Sequence, residues 1–180
     1  MFVRRRHAVA AVLAVALLTT GCGSPASSPT PEPTATAPSP TDSDTAAFAA
    51  AEATYRAYVD ALNAVDLSDP TTFEPVYALT TGDVQEADRE GLSNYNSQNV
   101  TVSGSSRITS IEFAGSVQQD RVQLAVCLDV STVEVRAADG ESLVSPERVP
   151  IQSLLVTVEE PNGGHPVIVR IEGREGNPTC

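Results

Sequence analysis

The sequence predicts an α+β domain in which N-terminal helices pack on a curved, mostly antiparallel sheet. Three observations carry this. Apolar residues recur at helical spacing between Phe48 and Tyr95. After Asn99 the period changes to two, and Val, Ile and Thr dominate. Turn signals at Asp139-Gly140 and Pro161-Asn162-Gly163-Gly164 then separate runs of alternating residues, the pattern of hairpins following helices.

The start of the chain lies outside that pattern. Arg4-Arg5-Arg6 precedes an uncharged apolar run from Ala8 to Leu18, far short of the ~20 residues of a spanning helix. A basic start and a short apolar run read as a signal peptide over residues 1–21. Residues 22–45 carry Pro25, Pro29, Pro31, Pro33, Pro38 and Pro40 among Ser, Thr and Ala. Such a segment has too little to bury to offset its ordering entropy, so it reads as a disordered, extended linker. Residues 46–180 then form one globular domain, long enough for a single core.

Within the domain, Phe48, Tyr55, Val59 and Leu62 share one face of a helix over Thr45 to Val65. Ser68-Asp69-Pro70 supplies a capping residue and a proline at the first helical position, opening a short second helix that Pro75 makes irregular. Thr81-Gly82-Asp83 opens a third, with Val84, Ala87, Leu92 and Tyr95 as its apolar side and Gly91 weakening it.

The strands follow. Val100 to Phe113 is a first strand region, broken near Gly104, and Gly115 to Asp120 reads as a turn. Val122, Leu124, Val126, Leu128 and Val130 alternate, with Arg121, Gln123, Cys127 and Asp129 on the opposite face. A phase slip at Ser131-Thr132 suggests a bulge before Val133 and Val135. Leu154, Val156 and Val158, then Val167, Val169 and Ile171, form the last hairpin.

Charge narrows the function classes. The chain has a formal charge of −12 and no lysine, and loss of residues 1–21 removes three arginines and no acid, leaving −15. Phosphate neutralisation needs clustered cations, so nucleic acid is excluded as a partner. Acidity of this kind keeps a domain soluble outside the cell.

Leu18-Thr19-Thr20-Gly21-Cys22 closes the apolar run. It resembles the end of a bacterial lipoprotein signal peptide, in which the cysteine after a small residue is diacylated and becomes the first residue after cleavage. Thr19 stands where that family prefers Leu. The resemblance implies a lipid on Cys22, attachment to the outer face of the cytoplasmic membrane, and a linker that clears the bilayer. The arginine triplet leaves two export routes open, general secretion and twin-arginine. A lysine-free, Ala- and Val-rich composition also resembles chains of high-GC Gram-positive bacteria.

With Cys22 lipidated, Cys127 and Cys180 remain for one another in an oxidising compartment. The alternative is a free thiol at Cys127, with no His or Cys neighbour in sequence to activate it.

The Ala-rich first helix, Asp66-Leu67-Ser68-Asp69-Pro70 and the strand around Cys127-Leu128-Asp129 together resemble secreted proteins of the nuclear transport factor 2-like superfamily. That resemblance implies a cone of helices against a curved sheet, whose hollow end takes an apolar ligand in some relatives and carries a proton-transferring carboxylate in isomerase-like ones. Asp129 is the residue such a role would fall on, although its neighbours place it on the solvated strand face. Tyr55, Tyr58, Tyr77 and Tyr95 are candidate pocket-lining residues, or core residues with a wet hydroxyl.

Catalytic chemistry is otherwise thin. His7 leaves with the signal peptide and His165 sits in a turn. No metal-ligand spacing, phosphate loop or activated serine occurs, including at Ser103-Gly104-Ser105-Ser106, so no metal or cofactor is expected. The resulting expectation is a non-enzymatic module of the cell envelope, holding a small apolar ligand or contacting an envelope protein. An isomerase- or hydrolase-type enzyme, or an accessory subunit of an envelope enzyme, are the alternatives.

Overall fold

The computed structural model describes residues 42–118, 120–161, 164–176 and 179–180. The signal peptide, Cys22 and the linker up to residue 41 lie outside the described residues, as do Asn162 and Gly163 of the last turn.

Helix α1 spans Asp42–Asn63 and begins earlier than the expected linker boundary at Thr45. Asp42 and Asp44 occupy its first turn, where carboxylates complement the positive end of the helix dipole. Its buried stripe is Ala51, Thr54, Tyr55, Tyr58 and Val59, flanked by half-buried Phe48.

The second helical element is split. Asp69 Oδ1 accepts from the Thr71 amide at 3.0 Å, and Pro70 opens a 3-10 turn over Pro70–Phe73. Only then does α2, Glu74–Tyr77, adopt α geometry. Pro75 has no amide hydrogen to continue an α ladder back to Thr71, which explains the change of helix type. Helix α3 spans Gly82–Ser97 and buries no residue completely. It leans on β6 and α2, with Val84 and Leu92 half-buried.

Among the described residues six strands make two sheets: β1 (Thr101–Ser103), β2 (Arg107–Gln118), β3 (Arg121–Asp129), β4 (Glu134–Arg136), β5 (Ile151–Glu159) and β6 (Val167–Gly173). The larger sheet is antiparallel in the order β2-β3-β5-β6, and β1 pairs with β4 in the smaller. The expected α+β class, helices packed on antiparallel strands, is the observed one.

Four local expectations are corrected. The turn expected at Gly115 to Asp120 shrinks, because β2 continues to Gln118 and Gly115 is absorbed as a bulge with φ of 139°. The expected bulge at Ser131-Thr132 is instead the end of β3. Asp129 Oδ1 accepts from the Ser131 amide at 2.9 Å, and the Val133 amide bonds back to the Val130 carbonyl at 3.0 Å, so the chain turns into the second sheet. In the last hairpin Ile168, rather than Val167 and Val169, enters the core. Thr157 pairs with Arg170 but Val158 with Ile168, so one extra residue, Val169, shifts the phase. Finally, the strand face expected to be solvated is buried at Ala125 and Cys127.

Cys127 and Cys180 form a disulfide with Cα atoms 5.6 Å apart. The tail returns to the sheet, with the Arg174 amide donating to the Ser153 carbonyl at 2.9 Å. On the helical side the core is filled by Tyr55, Val76, Leu124, Val126, Val156 and Ile168.

Candidate functional site

Helix α3 sets the site: it buries no residue completely and is held largely by polar contacts, Gln85 Nε2 donating to the Tyr77 and Thr80 carbonyls at 2.7 and 2.9 Å and Asn96 Nδ2 to the Leu67 carbonyl at 2.6 Å. Val84, Asp88, Leu92 and Tyr95 recur four, four and three residues apart, on one side of the helix. Concavities open at both ends of that line. One, of about 440 Å³, lies between the first half of α3 and β6, with Tyr58, Val84, Asp88 and Val169 in its walls. The other, of about 220 Å³, lies between the ends of α1 and α3 and the small sheet.

The second concavity is walled by Leu62, Val65, Leu92, Tyr95, Val102 and Val133, with Asn63 and Ser106 at its rim. Asn63 fixes that rim by donating to the Ser106 carbonyl and accepting from its amide, both at 2.9 Å. Gly104, with φ of 79°, lies so close to the Thr132 carbonyl that a Cβ there would overlap it. None of the lining side chains is charged. Concavities elsewhere on this acidic domain do carry charge: Asp120 and Glu160 by the start of α1, Glu74 and Arg89 beside α2, and Arg56, Asp60 and Arg107 along α1.

Asp88 is the residue that the sequence reading missed. The Tyr58 hydroxyl donates to its Oδ1 at 3.0 Å, while Oδ2 is buried with no hydrogen-bond partner. Burial raises the Asp88 pKa above the ordinary carboxylate value, against the lowering effect of the Tyr58 and Thr80 hydroxyls. Burial, and then the neighbouring Asp88 charge, push the Tyr58 hydroxyl far above the phenol range, so it keeps its proton to donate to Asp88. A signal was present in the sequence: Asp88 lies four residues from both Val84 and Leu92, a carboxylate on the apolar side of a helix.

The other predicted positions are dispersed. Tyr55 is sealed in the core at 1% exposure. Tyr77 is buried beneath the Arg89 guanidinium, 4.0 Å above its ring, and lines a separate concavity. Tyr95 is exposed at the apolar groove, and Tyr58 faces the Asp88 cleft. The four tyrosines therefore line no common pocket. Asp129 is far from both ends of α3 in its bonding: it pairs with Arg107 at 3.1 Å and caps the Ser131 turn. Those Ser131 hydrogen bonds, with Arg107 second, hold its carboxyl below the ordinary value. His165 is exposed. Among the described residues no group of three or more His, Cys, Asp or Glu side chains gathers as a metal site.

The molecule is thus an α+β protein of the helices-on-sheet class. Solved structures similar to it include a protein from Catenulispora acidiphila in complex with S-DNPA, at 15% identity and a TM-score of 0.45, covering 72% of this chain and 94% of that one. Another is a nuclear transport factor 2-like protein of unknown function from Exiguobacterium sp. 255-15, at 13% identity and a TM-score of 0.39, covering 68% and 99%. A third is a candidate polyketide cyclase from Xanthomonas campestris pv. campestris, at 12% identity and a TM-score of 0.36, covering 69% and 92%. No protein-family model matches the chain, and no curated protein matches it.

Proposed function

We propose that this protein is a lipid-tethered, extracytoplasmic binding module that holds a small, neutral, apolar ligand in the groove between α1, α3 and the small sheet. The observation that carries the reading is the absence of charge from that groove's lining on a domain this acidic. Aliphatic walls reward burial of apolar surface by roughly 25 cal/mol per Å². They offer nothing to an ion, whose desolvation would go uncompensated. At about 220 Å³ the groove is smaller than the ~300–1,000 Å³ of drug-sized sites, so its occupant is a small molecule or the end of a longer one.

Titration with the neutral fluorophore N-phenyl-1-naphthylamine tests this. Saturable enhancement is expected in the native domain, with most of it lost in Leu92→Arg and in Val102→Asp. Val102 is 48% exposed, so the second variant leaves the fold intact and serves as the control for misfolding. Unchanged titration in a folded Val102→Asp protein overturns the assignment.

The tether rests on Arg4 to Arg6, the apolar run and Gly21-Cys22. Cys22→Ala should move the protein from the membrane to the soluble fraction and remove the lipid from its intact mass. Equal membrane-bound fractions for native and variant proteins would sink it.

A proton-transfer enzyme is the second reading, favoured by the Tyr58–Asp88 pair beside an open cleft. It ranks lower because the free carboxylate oxygen is buried, out of a substrate's reach.

A further inference from the structure

We infer that ligand binding in the apolar groove is linked to proton uptake at Asp88, through the position of α3. The inference rests on the groove reading above and adds its regulation. Asp88 and the groove residues Leu92 and Tyr95 belong to one helix, one and two turns apart, and that helix buries no residue completely. A rigid displacement at Asp88 is therefore transmitted to Leu92 and Tyr95, against the hydrogen bonds of Gln85 and Asn96 rather than against a fully buried apolar face.

The stress at Asp88 is geometric. Docking α3 buries Oδ2 with no donor within hydrogen-bond distance, while the Tyr58 hydroxyl donates to Oδ1 and the Thr80 hydroxyl lies beside the carboxyl. A neutral acid tolerates that environment, whereas an ionised one needs water on the orphaned oxygen. Ionisation thus favours a lifted α3, which draws Leu92 and Tyr95 away from Leu62, Val65 and Val102.

The groups around Asp88 do not supply a compensating charge. From α1 come Tyr58 and, behind it, Tyr55; from α2 comes Tyr77 and from the α2–α3 connection Thr80. On α3 itself Asp83 lines the same cleft and adds negative charge, while Arg89 lies over the Tyr77 ring. On β6, Arg170 lines the cleft but is directed to Glu172 at 3.7 Å.

The sign follows from these contacts. The Asp88 pKa is raised when α3 is docked and returns toward the ordinary carboxylate value when it lifts. Docking is therefore most favourable below the ordinary value, weakens as pH rises through the raised one, and is constant above it. A ligand that needs the docked wall binds more tightly in acid, by up to about tenfold for each unit separating the two pKa values.

Two measurements on the native domain, Asp88→Asn and Tyr58→Phe test this. Hydrogen-exchange protection factors of α3 amides, without ligand, should fall from acid to neutral pH in the native domain while those of α1 and β3 hold. They should be flat in Asp88→Asn. In Tyr58→Phe, which removes the larger of the two hydroxyl contributions that lower the Asp88 pKa, the fall should move to higher pH. Affinity for N-phenyl-1-naphthylamine should follow the same profile. Flat α3 protection in the native domain overturns the inference whatever the groove binds. A falling protection with pH-independent affinity overturns the linkage. No probe binding at any pH sinks the groove reading and the linkage with it, and exchange at α3 still shows whether Asp88 moves the helix.

Discussion

Loss of the Cys127–Cys180 bond is expected to lower the stability of the domain by about 4 kcal/mol, from closure of a loop with a sequence separation of 53. For a domain of this size that corresponds to a melting temperature roughly 15 °C lower. The loop encloses β4, β5 and β6 but none of the helices, so the entropy regained on unfolding belongs to the strands and the tail. Thermal melts with and without reductant, and of Cys180→Ser, measure it. A shift below about 1 kcal/mol would mean that the tail is held by other contacts, and that the bond adds little to a sheet already closed on that face.

Leu124→Ala should cost a similar amount, about 3–4 kcal/mol, through lost burial and the cavity left behind. Leu124 is 0% exposed at the centre of β3, paired across to Phe113 and Val156, within a cluster that includes Tyr55, Val76 and Ile168. Leu128, four residues along the same face, is only half-buried, and Leu128→Ala should cost less than half as much. Urea denaturation of the two variants compares them directly. Equal losses would show that the core does not concentrate at Leu124.

These two leucines also show how far the chain can be read without a structure. Alternation from Val122 to Val130 marks both as inward residues, and the helical period of Tyr55 and Val59 marks the α1 stripe, because each pattern is a local consequence of backbone geometry. The cap at Asp69, the break at Gly104 and the pairing left to Cys127 and Cys180 were legible for the same reason: each depends on a few neighbouring residues or on counting. Where the outcome depended on a partner distant in sequence, local pattern failed. Ile168 displaced Val167 and Val169 because β5 on one side, and the Leu79–Thr81 segment bonded to Ile168 on the other, impose a bulge. Ser131-Thr132 became a sheet boundary because Thr132 bonds to Ser105 across the break in the first strand region.

The site follows the same division. Four tyrosines look alike in sequence, yet the fold buries one in the core, seals one under Arg89, leaves one at the apolar groove and sets one against Asp88. The sequence alone determined the class of fold, the acidic character of the domain and the residues able to be inward. Only the tertiary structure decided which inward residues line space rather than fill it, and that one oxygen of a carboxylate on α3 would be buried without a hydrogen-bond partner. Burial and hydrogen-bond satisfaction are properties of what surrounds a side chain, and here the surroundings come from α1, β6 and the small sheet.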